Sequence, residues 1–164
     1  DNSIAVGDVV EIAGKSGAVE QINLRVVQLR SLDGTLHVIP NGQINMVSNM
    51  TRGWSRAVVD VGVAYQTNVD HAIEVVRDVA ERMAADEHWK TRLDGVPEVQ
   101  GVQALGDNGV TLRVLLRTLP GFQWEVGREF RRRIKDRFDH DHIEIPFPQQ
   151  MIHVRAPGIP GIGS

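Results

Sequence analysis

The side chains best equipped for chemistry gather in the last third of the chain. His140, Asp141 and His142 stand in consecutive positions, and imidazole and carboxylate ligands suit zinc or nickel. No third ligand follows from the spacing, and the segment comes after a helical pattern among other charges, so it reads as a solvated loop. His37, His71, His88 and His153 form no interpretable spacing. Cysteine is absent, which removes disulfides, thiol nucleophiles and thiolate-held metals. Ser16, Ser31, Ser48 and Ser55 occupy no nucleophile-elbow context. No carboxylate pair stands apart from ordinary surface charge. The expectation is therefore a chain with no catalytic residue, no metal and no cofactor.

A second concentration of chemistry is cationic. Arg128, Arg131, Arg132, Arg133, Lys135 and Arg137 fall on one helical segment, where phosphate binding is the sharp reading. Glu125, Glu129 and Asp136 on the same segment offset that charge. Aromatic residues for base stacking make up only 5% of the chain, and 18 Lys and Arg face 21 Asp and Glu, a net charge of −3. A solvated, ion-paired helix face is the better account, and nucleic acid is not expected as a partner. The glycine turns precede no helix in a phosphate-loop pattern.

These groups must be positioned by a chain of 164 residues, 41% apolar and 24% charged. That is enough for a real core in one domain or two small ones. The first third reads as short strands with glycine turns. Val9–Ile12 is followed by a turn over 13–17, and Ala18–Arg30 is one bent strand or two short ones. Asp33-Gly34 predicts a two-residue hairpin, returning through Leu36–Ile39 to a turn at Pro40-Asn41-Gly42. Such spacing suggests a small β-barrel. A boundary is expected at residues 53–56. Beyond it, Val59, Val61, Val63 and Tyr65 alternate as a strand. Val69, Ala72, Ile73, Val76, Ala80 and Met83 then form a helical stripe, with Thr67 and Asp70 as a capping box. Strands over 99–105 and 110–116 make a hairpin. Val126, Phe130, Ile134 and Phe138 mark a second helix, and Ile152–Arg155 a last strand. The order βαββαβ is the ferredoxin-like arrangement, so the fold class is α+β. Residues 157–164 form a Pro/Gly-rich tail that is expected to be flexible. No apolar run is long enough to cross a membrane. The first residues, Asp1-Asn2-Ser3, read as the start of a piece of a longer protein.

The motifs carry a resemblance. Val6-Gly7-Asp8-Val9-Val10, then Gly17-Ala18-Val19, then Asp33-Gly34, then Val38-Ile39-Pro40-Asn41-Gly42, run in the order of the small-conductance mechanosensitive channel family. Asn49-Met50-Thr51-Arg52 is similar to its N-x-S/T-R segment. Val61–Tyr65 is similar to the opening of its C-terminal domain, and Ile145-Pro146-Phe147-Pro148-Gln149 to its closing motif. Gly7, Asp8, Gly17, Asp33, Gly34, Pro40, Asn41, Gly42, Pro146 and Pro148 are read as the structural turns of those motifs. The resemblance implies an Sm-like β domain over 1–52, a ferredoxin-like domain over 57–156, and no enzyme. It implies a homo-heptamer anchored in a bacterial cytoplasmic membrane by a missing N-terminal region. This part would form a cytoplasmic vestibule, with ions and small solutes as permeating partners. Arg52, Arg56 and Asp60 could line portals or serve packing between domains. Open-edged barrels complete one another in rings, so some of Val26, Val27, Leu29, Leu36 and Val38 are expected at a subunit interface. The competing reading is a soluble oligomeric Sm-like and ferredoxin-like module that binds RNA or a small ligand.

Overall fold

A computed structural model describes residues 3–148. The expected final strand over 152–155 and the tail over 157–164 lie outside the described residues. Five short strands open the chain: β1 (Val9–Ile12), β2 (Lys15–Ile22), β3 (Val26–Arg30), β4 (Leu36–Pro40) and β5 (Val47–Asn49). They form one antiparallel sheet in the order β4-β3-β2-β1-β5. Alternation sends Val10, Ile12, Val19, Val27, Leu29 and Ile39 into a small core. β5 has only three residues and was not visible in the sequence pattern; pairing with β1 defines it.

Two turns differ from expectation. The two-residue hairpin falls at Ala13-Gly14, between the paired Ile12 and Lys15, and both turn residues have positive φ. Lys15–Gly17, expected as turn, is already strand. At Asp33-Gly34 the loop is longer: Ser31 N–H donates to the Thr35 carbonyl and Gly34 N–H to the Ser31 carbonyl. The Asp33 carboxylate explains this. It accepts from the Ser31 hydroxyl at 2.6 Å and from Thr35 N–H at 3.1 Å, so it ties a wider turn to itself. A single 3₁₀ turn at Asn41–Gln43 follows Pro40.

The second half contains β6 (Ser55–Ala64), α1 (Val69–Ala85), β7 (Glu98–Leu105), β8 (Gly109–Thr118) and α2 (Gln123–Asp141). The three strands pair in the order β6-β8-β7. First strand beside third, with both helices contributing to the core, is the ferredoxin-like pattern. Val59, Val61, Val63, Leu112, Val114 and Leu116 meet Val76, Met83, Phe130 and Phe138 in that core. β6 starts at Ser55, inside the segment expected to be boundary, and Tyr65 lies beyond the strand and is exposed. The cap of α1 is Asn68, whose Oδ1 accepts from His71 N–H at 2.9 Å. Thr67 lies one position before the cap, and its N–H closes a turn on the Ala64 carbonyl. Gly109 has no room for a side chain: a Cβ there would lie 2.6 Å from the Val63 carbonyl oxygen and 2.7 Å from Pro146 Cγ.

Candidate functional site

The N-terminal motif is a hydrogen-bonded knot. Asp8 Oδ2 accepts from Ala5 N–H and from Asn49 Nδ2, each at 2.9 Å. Asn49 Nδ2 also reaches the Ser3 carbonyl, and Asn49 Oδ1 accepts from Thr51 N–H. Thr51 Oγ1 in turn accepts from Val9 N–H at 3.1 Å. The amide of Asn49, first among these donors, holds the Asp8 carboxyl below its ordinary value. Asp8 lies 41 residues from Asn49 and 43 from Thr51, and the β1–β5 pairing brings it to them. Asn41 does similar work at the other end of the sheet. Its Nδ2 donates to the Leu24 carbonyl at 2.8 Å and fastens the 3₁₀ turn to the β2–β3 turn. Gly17 is required by closeness, since a Cβ would stand 2.6 Å from the Arg30 carbonyl oxygen.

The β-sheet half is then latched to the α/β half. The Met50 carbonyl accepts from Ser55 Oγ at 2.9 Å and from Gln123 Nε2 at 3.0 Å. Ser55 Oγ itself accepts from Gly121 N–H at 3.3 Å. Ser55 is buried despite its hydroxyl, and these bonds satisfy it.

Of the three charges singled out in the sequence, Arg56 and Asp60 sit on the exposed face of β6, and Arg52 is exposed just before it. Register places Arg56 opposite Arg117 and Asp60 opposite Arg113 on β8. Asp60 and Arg113 form a two-pronged ion pair at 2.8 and 3.0 Å. The Arg113 hydrogen bonds hold the Asp60 carboxyl below its usual value. Two like charges face each other at Arg56 and Arg117, which is ordinarily unfavourable. Trp54 relieves this: the Arg117 and Arg56 guanidinium carbons lie 4.3 and 4.9 Å from its ring centroid. Arg117 also pairs with Asp94 at 2.9 Å. Trp54, Asp94, Arg113 and Arg117 were not picked out from the sequence. The available signal was the two-residue alternation of Arg113, Leu115 and Arg117; their partners depended on strand register. This face can attract anions electrostatically, but it holds no paired acid and base.

The basic helix is largely neutralised. Arg132 and Arg133 pair with Glu129, Arg133 also with Asp86, and Arg137 with Asp78 and Asp141. The hydrogen bond from Arg132, with Arg133 adding to it, pulls Glu129 down to about 2. The segment His140-Asp141-His142 is not a loop after the helix. His140 and Asp141 form the last turn of α2, and His142 caps it in the left-handed conformation. Asp141 is engaged by Arg137 and His140. Among the described residues, no three His, Cys, Asp or Glu side chains converge as a metal site. Of the residues expected at an interface, Val27 and Leu29 belong to the chain's own core, whereas Leu36 and Val38 are exposed on the edge strand and Val26 is partly exposed.

The fold is thus a five-stranded β domain latched at Met50, Ser55 and Gln123 to a ferredoxin-like α/β domain. The chain belongs to the mechanosensitive ion channel (MscS) family. The family's β-domain matches residues 1–52, and its MscS C-terminal domain matches residues 57–145, more than half of the chain. A small-conductance mechanosensitive channel of Caldanaerobacter subterraneus subsp. tengcongensis is 36% identical over 154 residues, covering 93% of this chain and 53% of the relative. The moderate conductance mechanosensitive channel YbiO of Escherichia coli is 29% identical over 158 residues, covering 96% of this chain and 21% of the relative. The crystal structure of Helicobacter pylori MscS in its closed state superposes with a TM-score of 0.77 at 26% identity, covering 94% of this chain and 60% of that one. The chain thus spans about half, or less, of the length of these curated relatives. Among the described residues, no helix is long and apolar enough to cross a membrane.

Proposed function

We propose that this chain is the vestibule portion of a mechanosensitive channel that opens under membrane tension and releases solutes during hypo-osmotic shock. Residues 1–52 form its β domain, and its α/β domain begins with β6 at Ser55. A membrane region preceding Asp1 anchors it in the bacterial cytoplasmic membrane, with this part on the cytoplasmic side. The observation that carries the reading is the match of the channel family's β-domain to residues 1–52 and of its C-terminal domain to residues 57–145, which the latch at Met50, Ser55 and Gln123 joins. This latch ties the β domain, which would abut the pore, to the α/β domain. Bilayer tension favours the open state because that state occupies more membrane area, a differential free energy of the kind any gating stimulus must supply.

Seven copies complete the vestibule, and ions and small solutes pass through its sides. The exposed edge strand β4, with Leu36 and Val38 on its outer face, is a suitable seam between neighbours. Arg52, Arg56 and Asp60 lie near openings and bias which ions enter. Patch-clamp recording of the complete parent protein, in membranes lacking other stretch-gated channels, tests the function. Currents that rise with suction and close on its release are the expected result. Silence up to membrane rupture, with the protein present in the patch, overturns it.

A further inference from the structure

A cleft of about 500 Å³ lies between the outer face of the β domain and the first turns of α2. Its floor is a cross-strand row. Ala18 is paired with Val9 on one side and with Arg30 on the other, so all three present side chains to the same face. Met50 and Leu32 extend that floor. The opposite wall is Trp124 and Arg128, which are one helical turn apart on the side of α2 that faces away from Val126 and Phe130. Leu32 is fully exposed, and Trp124 is 41% exposed. Two large apolar side chains are therefore held open to solvent across a cleft from each other.

Charge decides what such a cleft would accept. Arg30 is already committed to Glu20 at 2.9 Å and to the Gly34 carbonyl. Arg128 is different. The one carboxylate within helical reach, Glu125, is bound to Arg92 at 2.7 Å. Among the described residues no carboxylate pairs with Arg128, although Arg132, Arg133 and Arg137 on the same helix are all paired. An unpaired guanidinium at the mouth of an apolar cleft is complementary to an anion carrying a hydrophobic body.

We propose that this cleft is a binding site for a free single-chain fatty acid anion. The carboxylate pairs with Arg128, and the alkyl chain lies between Trp124, Leu32 and the Val9–Ala18 floor. A volume of this size takes one alkyl chain with a small head, not a two-chain lipid. Binding would bridge the β domain and α2 beside the Met50 latch, so occupancy would stiffen the junction between the two halves.

Calorimetric titration of the chain with dodecanoate, below its micelle concentration, tests the site. The expected result is saturable binding of one dodecanoate per chain. Arg128→Gln should weaken it by about tenfold, the loss typical of a charge-assisted pair. Arg77→Gln, which removes an exposed arginine on α1, should leave it unchanged. Ala18→Phe, checked for folding by circular dichroism, should abolish binding by filling the floor. Dodecyl maltoside, with the same chain and no charge, should bind more weakly than dodecanoate. Equal affinities for wild type and Arg128→Gln overturn the proposal, as does the absence of saturable binding. If sedimentation shows that Arg128→Gln changes the oligomeric state while dodecanoate does not bind, a second copy covers the cleft and the proposal is also overturned.

Discussion

A carboxylate that arginines surround titrates against its own protonation, and Glu129 is the clearest case. Its side chain is only 14% exposed, and Arg132 and Arg133 hold it at about 2 against an ordinary value of 4.5. A depressed folded-state value means that the unfolded chain binds the proton more readily. The stabilisation is therefore fully present above about pH 4.5 and is lost as pH falls from there toward 2. Glu129→Gln should flatten the acid side of the stability curve in that window and leave its slope near neutrality unchanged, as read by urea unfolding at successive pH values. Gly109 offers a steric test at the same scale. An added Cβ would press on the Val63 carbonyl oxygen and on Pro146, both part of packed backbone or ring. Gly109→Ala should cost about 1–3 kcal/mol in a denaturant titration. A neutral result would mean that the Pro146 segment can lift away from the sheet.

At the level of the element, α2 shows how one helix serves two purposes. Val126, Phe130, Ile134 and Phe138 recur every four residues and are all buried, while most of its charged residues, Arg128 aside, pair along the outside. Phe130→Ala removes a fully buried ring from the centre of that stripe, and should cost about 3–5 kcal/mol of unfolding free energy. For α1 the cap is the weak point. Asn68→Ala should cost about 1 kcal/mol, whereas Thr67→Ala should be close to neutral, because only Asn68 accepts from the first helical turn. Thermal unfolding of the two variants side by side decides between the caps. The hairpins carry the same lesson about neighbours. Asp33-Gly34 has the composition of a tight turn, yet the Asp33 side chain recruits Ser31 and Thr35 and widens it. Ala13-Gly14 lacks that composition, yet two extended strands held in register at Ile12 and Lys15 force it into positive φ.

For the whole molecule, the junction between the halves rests on very few groups. Ser55→Ala leaves Gly121 N–H without its acceptor and removes one of two donors to the Met50 carbonyl. The double substitution Ser55→Ala with Gln123→Ala removes both donors. We expect faster amide exchange at residues 49–55 and 121–123 in the double variant, with the cores of both halves still protected. Uniform loss of protection instead would mean that the halves do not fold separately. Charge on the open sheet face is tested in the parent channel. Arg56→Glu places a carboxylate against Trp54 and opposite Arg117. If this face borders the ion path, the reversal potential should move toward cation preference; an unchanged value would assign Arg56 to packing alone.

Much of this architecture was legible in the residues alone. Period-two alternation in Val110, Leu112, Val114 and Leu116 and period-four spacing in Val126, Phe130, Ile134 and Phe138 are local properties, because each side chain's facing follows from backbone geometry. That is why both helices, the β7–β8 hairpin and the α+β class could be read directly, and why the ordered motifs were enough to indicate the family. What tertiary structure alone decided was partnership. β5 exists only because β1 pairs with it, and the Asp8, Asn49 and Thr51 knot exists only because of that pairing. Strand register chose Arg113 for Asp60 and Arg117 for Arg56, and chain crossing brought Gln123 to Met50. Hydrogen bonds and ion pairs act over a few ångströms, so groups separated by tens of residues acquire partners only when the fold has set the distances between them.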